Sequence, residues 1–448
     1  MSDNETAIVV MCSLFLSLGY AGLPVAFALI AAVVVVAGLF TNLTIGSLMG
    51  QLFNGINELA LLAIPFFLLV GELMTSARIT PRLIALTQAL VGHLRSGLAH
   101  VVAVSCMIFA GISGSSTADT VAIGTVLLPA MREEGYAPAF SAALIAAGAS
   151  IASMVPPSIM AIVYGAVGDA SVGGLFLGGA VPGLMVCIGL MIYSALFGAP
   201  GLRKRRASLF QVANAARGAA LPLMIPVLII GSILGGVITP AEAGMAAVVY
   251  TLLVLLPLLN RGHFRHLAKD VVLAAVLYAI PLTAVAAASA FGWMLAYLGG
   301  ADIIMGWVRA LGTTDPRAIL LFVAVLFLIV GDFLDGLPAI IILMPVILAL
   351  EKLGHVNAVH MGVVVIVTLA FGLITPPCGI ILLLSSSLAG VPFSRALLQS
   401  APIYLVFVVV IAVIILFPDS VLFLPRHVLP RSVGCFPRPH GGGWICPD

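Results

Sequence analysis

The chain has 448 residues, of which 62% are hydrophobic and only 8% are charged, and its mean hydropathy is +1.25. Soluble domains carry about 25% charged residues, so this composition excludes a water-soluble surface. A balance of 19 Lys+Arg against 17 Asp+Glu provides no basic face for nucleic acid. The sequence therefore predicts an all-α polytopic membrane protein in a lipid bilayer, with no nucleic-acid partner.

Apolar stretches follow one another along almost the whole chain. A helix needs roughly 20 apolar residues to span a bilayer, and several stretches are shorter than that. The sequence predicts on the order of a dozen spans together with re-entrant hairpins. The stretches lie near 7–40 (two spans divided around Gly22–Pro24), 59–76, 97–113, 120–131, 139–154, 172–198, 219–237, 241–259, 271–298, 318–331, 336–350, 359–374 and 400–417.

Basic residues between the apolar stretches predict the orientation. The run Arg203–Arg206 is the densest cluster and is expected on the cytoplasmic side, together with Arg261, Arg265 and Lys269. Residues 1–6 contain no Lys or Arg, which favours an N-terminus on the outside.

Two polar interruptions occur in the same order in both halves of the chain. Ser115–Asp119 corresponds to Gly331–Asp335, and Val155–Ser158 corresponds to Thr375–Cys378, at separations of 216 and 220 positions. Such a duplication is typical of transporters built from internal repeats.

The repeats define a division of the chain into segments. We expect repeat one at about 59–198 and repeat two at about 271–417, within a membrane domain of residues 1–430. Residues 431–448 are rich in Gly and Pro without periodicity, and they are predicted to be a disordered tail.

Each interruption resembles the start of a helix. Ser116 with Asp119, and Asp332 with Asp335, have the i, i+3 spacing of a capping box. Pro156 and its counterpart in the second half would take the first helical position, where a missing N–H costs nothing. Helices that start inside apolar sequence are hairpin tips or broken helices, tolerated only where they are buried or line a cavity. Their N-termini can face an anion and their carbonyls can hold Na⁺, as in secondary transporters.

Three aspartates in these interruptions are the strongest candidate site residues: Asp119, Asp332 and Asp335. An aspartate at the centre of a span costs roughly 2.5–3.5 kcal/mol on insertion scales. Two alternatives stay open for each, namely capping with an indirect role in ion binding, or direct binding of Na⁺ or H⁺. Ser113, Ser115 and Ser116 are either cation or substrate ligands, or small residues that permit close helix packing.

Enzyme and metal signatures are weak or absent in this sequence. Gly111–Gly114 resembles the Gly-x-Ser-Gly of rhomboid proteases, and two intramembrane aspartates could imitate an aspartyl protease. However, a rhomboid protease also requires a His, and no His lies well inside an apolar segment of this chain. An aspartyl protease would leave the duplicated Pro-Pro interruptions unexplained. The six cysteines show no metal-binding spacing. An intramembrane hydrolase therefore remains only a remote alternative.

Four motifs resemble the large (M) subunit of TRAP transporters, the tripartite ATP-independent periplasmic transporters. They are Ile108–Asp119, Met154–Ile159, Gly236–Ala243 and Gly372–Gly379, and the resemblance covers residues 8–430. It implies the elevator-type ion transporter superfamily fold, in which inverted repeats each carry a hairpin and a broken helix.

The same resemblance implies a bacterial or archaeal cytoplasmic membrane location, no covalently bound cofactor, and Na⁺ as the coupling ion. The implied partners are a separate small four-helix membrane subunit and a periplasmic substrate-binding protein. The implied substrate is a carboxylate, such as a C4-dicarboxylate, sialic acid, a keto acid or a sugar acid. A related carrier that works alone is the main alternative.

Carried onto this chain, the resemblance places hairpin tips at Gly111–Asp119 and Gly331–Asp335, with broken-helix partners at Val155–Ser158 and Gly372–Gly379. The expected Na⁺ ligands are Ser113, Ser115, Ser116, Gly372 and Thr375. Together with the residues argued above, the predicted substrate and ion site comprises Ser113, Gly114, Ser115, Ser116, Asp119, Pro156, Pro157, Ser158, Asp332, Asp335, Gly372, Thr375, Pro376 and Gly379.

Overall fold

Apolar sequence interrupted by Pro and Gly folds into a chain of helices in the computed structural model of this protein. The structure describes residues 3–199, 205–310, 315–434, 436–437 and 444–445. Their helices are α1 Asp3–Tyr20, α2 Val25–Phe40, α3 Ile45–Ile56, α4 Ala63–Ser76, α5 Thr80–Val91, α6 Gly97–Ser113, α7 Ser116–Glu133, α8 Pro138–Ala149, α9 Ile159–Val167, α10 Val172–Phe197, α11 Leu209–Leu234, α12 Pro240–Tyr250, α13 Leu256–Leu259, α14 Leu267–Tyr297, α15 Gly300–Ala310, α16 Pro316–Gly331, α17 Gly336–Gly354, α18 Ala358–Gly372, α19 Ile380–Ala389, α20 Phe393–Leu416 and α21 Asp419–Val428.

Helix lengths divide the apolar segments into two classes. Within the described residues, seven helical segments are long and apolar enough to cross a membrane, and six apolar helices are shorter. The short ones include α8, α18 and α19 of the broken helices and one arm of each hairpin, α6 and α16. Short helices at membrane depth leave free backbone groups, which is why they pack inside the protein.

The predicted hairpins and broken helices are confirmed as structural elements. α6 and α7 form the first hairpin and α16 and α17 the second, while α8–α9 and α18–α19 are the broken helices. Helices α5–α10 follow the order of one arm helix, a hairpin, a broken helix and a long helix. Helices α15–α20 follow the same order. The fold is thus an all-α membrane fold with repeated re-entrant hairpins.

The two hairpins enter from opposite ends of the molecule. At the base of the first hairpin, Ser96 Oγ donates to Ala199 O at 2.7 Å, just after α10. The second broken helix starts with α18 at the base of the second hairpin. It ends with α19 beside the first hairpin, where Leu388 of α19 contacts Gly124 of α7. Because α18–α19 runs from one hairpin base to the other, the repeats are inverted.

The long helix α14 joins the remaining helices to the second hairpin. It packs against α2, α3 and α4 on one side and against α17 on the other. Phe291 of α14 meets Phe15 of α1 edge to face, with ring centroids 5.9 Å apart. Much of its outer apolar surface stays open, for example at Ile280, which is 66% exposed, as expected for a helix facing lipid.

Two sequence expectations fall partly outside the described residues. In the basic run, Arg203 and Lys204 lie outside them, while Arg205 and Arg206 are exposed. In the tail predicted to be disordered, residues 435, 438–443 and 446–448 lie outside them. The described part of the tail differs from the prediction, because a 3₁₀ turn at Pro430–Val433 docks the chain and Val433 is 3% exposed. Short strands β1 (Phe436–Pro437) and β2 (Trp444–Ile445) pair antiparallel.

Asn357 fixes this docked segment, and its replacement tests the contact. Its Oδ1 accepts from the backbone N–H groups of Val359 and His360, and its Nδ2 donates to Val433 O at 2.5 Å. We expect Asn357→Ala to destabilise the protein by about 1–2 kcal/mol through the lost cap, measured by thermal unfolding in detergent. Asn357→Asp keeps the cap and loses only the donor to Val433 O, so its stability should lie between those of the wild type and the alanine variant. An alanine variant as stable as the wild type would contradict the assignment.

Candidate functional site

The first hairpin turns within two residues at its tip. Gly114 adopts a left-handed conformation (φ +61°), and a Cβ there would lie 2.0 Å from Pro157 O, so only glycine fits this close approach. Ser115 then caps α7, its Oγ accepting from Ala118 N at 3.4 Å. The N-cap is therefore Ser115, and the predicted capping by Ser116 with Asp119 is wrong.

Asp119 lies one turn inside α7 with its side chain fully buried. Its Oδ1 accepts a short hydrogen bond from Ser113 Oγ, which fastens the two arms of the hairpin across the turn. Its Oδ2 has no hydrogen-bond partner among the described residues. A buried carboxylate oxygen without a donor is costly, and such exceptions are typical of functional sites.

The first broken helix meets the hairpin through hydroxyl groups. Ser116 Oγ lies 2.8 Å from Ser153 Oγ, and Ser158 Oγ donates to Ser153 O in a short hydrogen bond. Ser158 also caps α9, accepting from Ala161 N at 3.1 Å. The expectation of a proline at the first helical position is wrong here, because α9 begins at Ile159.

Pro156 and Pro157 instead lie in the interruption between α8 and α9, joined by a cis peptide bond. The same is true of Pro376 and Pro377 in the second half. There α19 begins at Ile380 after Gly379, which adopts a left-handed conformation (φ +45°). The prolines thus occupy the irregular backbone of each break, where their missing N–H leaves one donor fewer to satisfy.

In the second half too, hydrogen bonds join the hairpin to its broken helix, but other atoms make them. Thr375 Oγ1 donates to Asp332 Oδ1 at 2.6 Å. Gly331 and Gly372 pack backbone to backbone, since a Cβ on Gly372 would lie 3.0 Å from Gly331 C. Asp335 caps α17, with its Oδ1 accepting from Gly336 N at 2.8 Å.

The two hairpins come together at the start of α9. Gly114 in the first tip reaches Pro157 O, and a Cβ on Gly336 of the second hairpin would lie 2.2 Å from Met160 Cε. The two breaks differ in exposure: the first is buried throughout, whereas Pro376–Cys378 of the second is exposed. The predicted residues of each half are thus assembled, and the open side of the site lies at the second break.

Two contributors were missed by sequence reasoning. Ser153 supplies both a hydroxyl and a carbonyl to the first break, but it lies in a largely apolar segment just before the Met154–Ile159 motif. Tyr404 in α20 donates to Ile374 O at 2.9 Å and accepts from Ser400 Oγ at 2.9 Å. Tyr404 lies far along the chain from the Gly372–Gly379 motif, so no local spacing of residues indicates it.

The first hairpin tip also touches helices outside the repeated core. A Cβ on Gly71 of α4 would lie 3.3 Å from Ser113 Cβ, and one on Gly111 would lie 3.4 Å from Pro226 Cβ of α11. The motifs at both tips supply carboxylate, hydroxyl and carbonyl oxygens and contain no Lys or Arg. Within the described residues no group of three His, Cys, Asp or Glu side chains could hold a metal ion. The oxygens present are the donors that hard cations prefer.

Comparison with known proteins decides the family. Residues 11–420 match the profile described as "Tripartite ATP-independent periplasmic transporter, DctM component". The chain belongs to this DctM family. It is therefore a large permease subunit of a TRAP transporter, a polytopic membrane transporter and not an enzyme, and the hydrolase alternative is wrong.

Curated DctM relatives are similar over nearly their whole length. The sialic acid TRAP transporter large permease protein SiaM of Vibrio cholerae is 33% identical over 424 residues, covering 93% of this chain and 97% of SiaM. The C4-dicarboxylate TRAP transporter large permease protein DctM of Pseudomonas aeruginosa is 33% identical over 392 residues, covering 87% and 91%. The 2,3-diketo-L-gulonate TRAP transporter large permease protein YiaN of Escherichia coli is 32% identical over 405 residues, covering 90% and 95%.

A solved structure shares the architecture. The Alcanivorax borkumensis YdaH transporter, described as having an unusual topology, superposes with a TM-score of 0.56 over 89% of this chain and 96% of its own. Since the two sequences are only 15% identical, the likeness concerns the fold alone.

The Ser113–Asp119 contact should be measurable as a coupling free energy. Ser113→Ala removes the one hydrogen-bond donor that the described residues give to the buried Asp119 carboxylate, so we expect about 1–3 kcal/mol of destabilisation in thermal unfolding. Adding Asp119→Asn should restore part of the loss, because a neutral amide costs less to bury than an unpaired charge. Ser141→Ala is the control, since among the described residues that hydroxyl bonds to Ala137 O, at the N-cap of its own helix α8. Strictly additive effects in the double variant would contradict the pairing.

Cys378 reports on the open side of the site. It is exposed in the second break, whereas Cys106 and Cys187 are 0% and 4% exposed. In a background with Cys435 and Cys446 replaced by Ser, we expect a maleimide to label Cys378 well before the two buried thiols, because access limits the reaction. Mass spectrometry of labelled peptides measures this. Labelling of Cys378 as slow as that of the buried Cys106 and Cys187 would show that the second break is closed.

Proposed function

We propose that this DctM-family permease uses a Na⁺ gradient to take up an organic acid that a periplasmic binding protein delivers. The observation that carries the proposal is the assembly of two hairpin tips on broken helices, with hydroxyls, three acidic side chains and no basic residue in either tip. A carboxylate held without Arg or Lys needs helix N-termini, hydroxyl donors and a bound cation.

The ion ligands proposed are Ser113, Ser115, Ser116, Gly372 and Thr375. Their support is positional: Ser113 already contacts Asp119, and Thr375 contacts Asp332 at 2.6 Å. In each half, one hydroxyl group is therefore hydrogen-bonded to one carboxylate next to the irregular backbone of the hairpin tip or the break. Binding of Na⁺ would give the buried Asp119 carboxylate a charge partner, either directly at Oδ2, which has no partner among the described residues, or through Ser113 at Oδ1.

Partners are proposed from family membership. A small four-helix membrane subunit and a periplasmic substrate-binding protein would complete the transporter in the cytoplasmic membrane of a bacterium or archaeon. The relatives differ in their named substrates, which are sialic acid, C4-dicarboxylate and 2,3-diketo-L-gulonate, at similar identities of 32–33%. Identity at this level therefore does not single out one substrate, and we propose an organic acid as the class.

The motion proposed is an elevator stroke. The hairpins and broken helices contact one another closely, and the helices around α14 and α11 border them through small residues such as Gly71, Gly111 and Gly292. Small residues at a helix interface permit close sliding contact. Moving the core as one body would carry a site at the tips across the membrane without dismantling it.

The test is Na⁺-driven uptake of a panel of labelled carboxylates in proteoliposomes, with the small subunit present and with or without the binding protein. We expect uptake only when both Na⁺ gradient and binding protein are supplied. Ser116→Ala should reduce it at least about tenfold, because Ser116 joins the first tip to Ser153. Ser141→Ala should leave it unchanged.

Two results would contradict the proposal. Uptake without the binding protein would favour a related carrier that works alone. Uptake driven by protons and indifferent to Na⁺ would remove the Na⁺ ligand assignment, whatever substrate is found.

A further inference from the structure

An exposed stripe of side chains runs along one face of α7. Its members follow one another at intervals of four, four, four and three residues, which is the spacing of a single helix face. They are Thr117, Val121, Thr125, Pro129 and Arg132. Thr117 directly follows Ser115 and Ser116 of the proposed ion site, and Arg132 lies in the last turn of the helix. The stripe therefore connects the first hairpin tip with the base of that hairpin.

α19 carries a second exposed stripe, which starts directly after the exposed second break. Its members are Ile380, Leu383, Ser387 and Leu388. Ser385 Oγ of α19 donates to Ala142 O of α8 at 2.8 Å, and one turn later Ala389 lines the same cavity as Pro138, the first residue of α8. α19 is therefore antiparallel to α8. Since α8 turns back along α7 from the hairpin base, α19 runs parallel to α7.

The two stripes end in one cavity of about 540 Å³. Arg132 and Glu133 line it from α7, and Leu388 and Ala389 line it from α19. Its volume lies in the range of small-molecule sites, roughly 300–1,000 Å³. Within the described part of the chain, neither Arg132 nor Glu133 forms an ion pair, so both charges remain available to a ligand. We name the space between the two stripes, including this cavity, the α7–α19 groove.

Polar members of the α7 stripe indicate that the groove faces water rather than lipid. Thr117, Thr125 and Arg132 alternate there with apolar side chains. Polar and ionisable side chains in membrane segments face the protein interior or a water-filled cavity. On α20, in contrast, the exposed side chains between 401 and 416 are all apolar, for example Leu405 and Val409, as expected for a surface in contact with lipid.

We propose that the α7–α19 groove is the passage by which the organic acid leaves the hairpin tips, and that Arg132 and Glu133 set how strongly its cavity holds an organic anion. The inference rests on the proposed function, because it assigns a route to the same cargo. The passage ends at the base of the first hairpin, where Ser96 bonds to Ala199 O shortly before the basic run of 203–206. It therefore ends on the side expected to be cytoplasmic.

Two opposite charges in the cavity suit a place of passage better than a place of tight binding. The Arg132 guanidinium has N–H donors in a fork that matches a carboxylate, so it raises the local concentration of an organic anion. The Glu133 carboxylate lines the same cavity and repels that anion, which keeps the binding weak. A passage requires binding that is favourable enough for entry and weak enough for release.

Cysteine labelling in proteoliposomes tests whether the groove contains water. Val121→Cys in the groove and Leu405→Cys on α20 replace two apolar residues, of which Leu405 is the more exposed, at 66% against 37%. With a membrane-impermeant maleimide on both sides, we expect Val121→Cys to react at least about tenfold faster, because the reacting thiolate forms in water. Mass spectrometry of labelled peptides measures each site separately. If Val121→Cys reacts as slowly as Leu405→Cys, lipid or another protein covers the groove and the proposal is overturned.

The charges of the cavity are tested with two thiol reagents of opposite charge at Thr125→Cys. The probes are a sulfonate-bearing and an ammonium-bearing methanethiosulfonate, and the measured quantity is the ratio of the negative to the positive reagent's rate. We expect Arg132→Gln to lower this ratio about threefold and Glu133→Gln to raise it by a similar factor. Arg317→Gln, at an exposed arginine near the base of the second hairpin, is the matched control and should leave the ratio unchanged. A ratio that neither cavity variant alters would overturn the assignment.

Equilibrium exchange tests the passage with the cargo itself. The labelled carboxylate identified by the uptake panel is supplied at equal concentration on both sides, together with equal Na⁺. We expect Arg132→Gln to slow exchange at low carboxylate concentration about threefold. Added KCl at about 0.5 M should remove most of this difference, because salt screens an exposed charge but does not repair a structural defect. Exchange at low salt that is as fast in Arg132→Gln as in wild type would overturn the role of Arg132.

Labelling and exchange distinguish failure of this inference from failure of the proposed function. If the panel yields no transported carboxylate while the labelling rates and ratios change as expected, the proposed function fails and the groove stands as a charged, water-filled groove without this cargo. If uptake is found while the labelling shows a groove closed to water, the passage is overturned and the proposed function stands.

Discussion

Hydrocarbon cannot hydrogen-bond a free peptide group, and this constraint shapes every interruption of a helix in this permease. Each break frees N–H and C=O groups at membrane depth, and each must find a partner inside the protein. Ser115, Ser158 and Asp335 cap the helices that start there. The residues that make the broken helices possible are therefore also residues of the proposed ion and substrate site.

The two halves satisfy the free backbone groups at their breaks in different ways. In the first half, hydroxyls of Ser116, Ser153 and Ser158 form a closed, buried set. In the second half, Gly379 takes a left-handed turn instead of a side-chain cap, and Pro376–Cys378 stays exposed. The proposed site therefore has one buried break and one exposed break, an asymmetry that strict symmetry of the two halves would not provide.

Sequence reasoning located the repeats, both hairpins and both breaks, because Pro-Pro pairs and acidic residues are conspicuous in apolar sequence. It failed on details that depend on three-dimensional contact. The i, i+3 spacing of Ser116 and Asp119 imitated a capping box, yet the turn at Gly114 sets the cap at Ser115 and directs Asp119 towards Ser113. Ser153 and Tyr404 join the breaks from apolar helices, so no local pattern indicated them. The docked Val433 was missed because its partner Asn357 lies 76 positions earlier in the chain.

Ionisable groups at the hairpin tips and at the end of α4 have different partners. Asp119 and Asp332 lie with hydroxyl partners at the tips, where no basic residue of either motif neutralises them. Asp270 instead lies 2.6 Å from His263 Nε2, which is also 3.1 Å from Ser76 Oγ at the end of α4. Because a hydroxyl donates a hydrogen bond without bringing a full positive charge, the tip carboxylates keep the acceptor oxygens that a hard cation prefers.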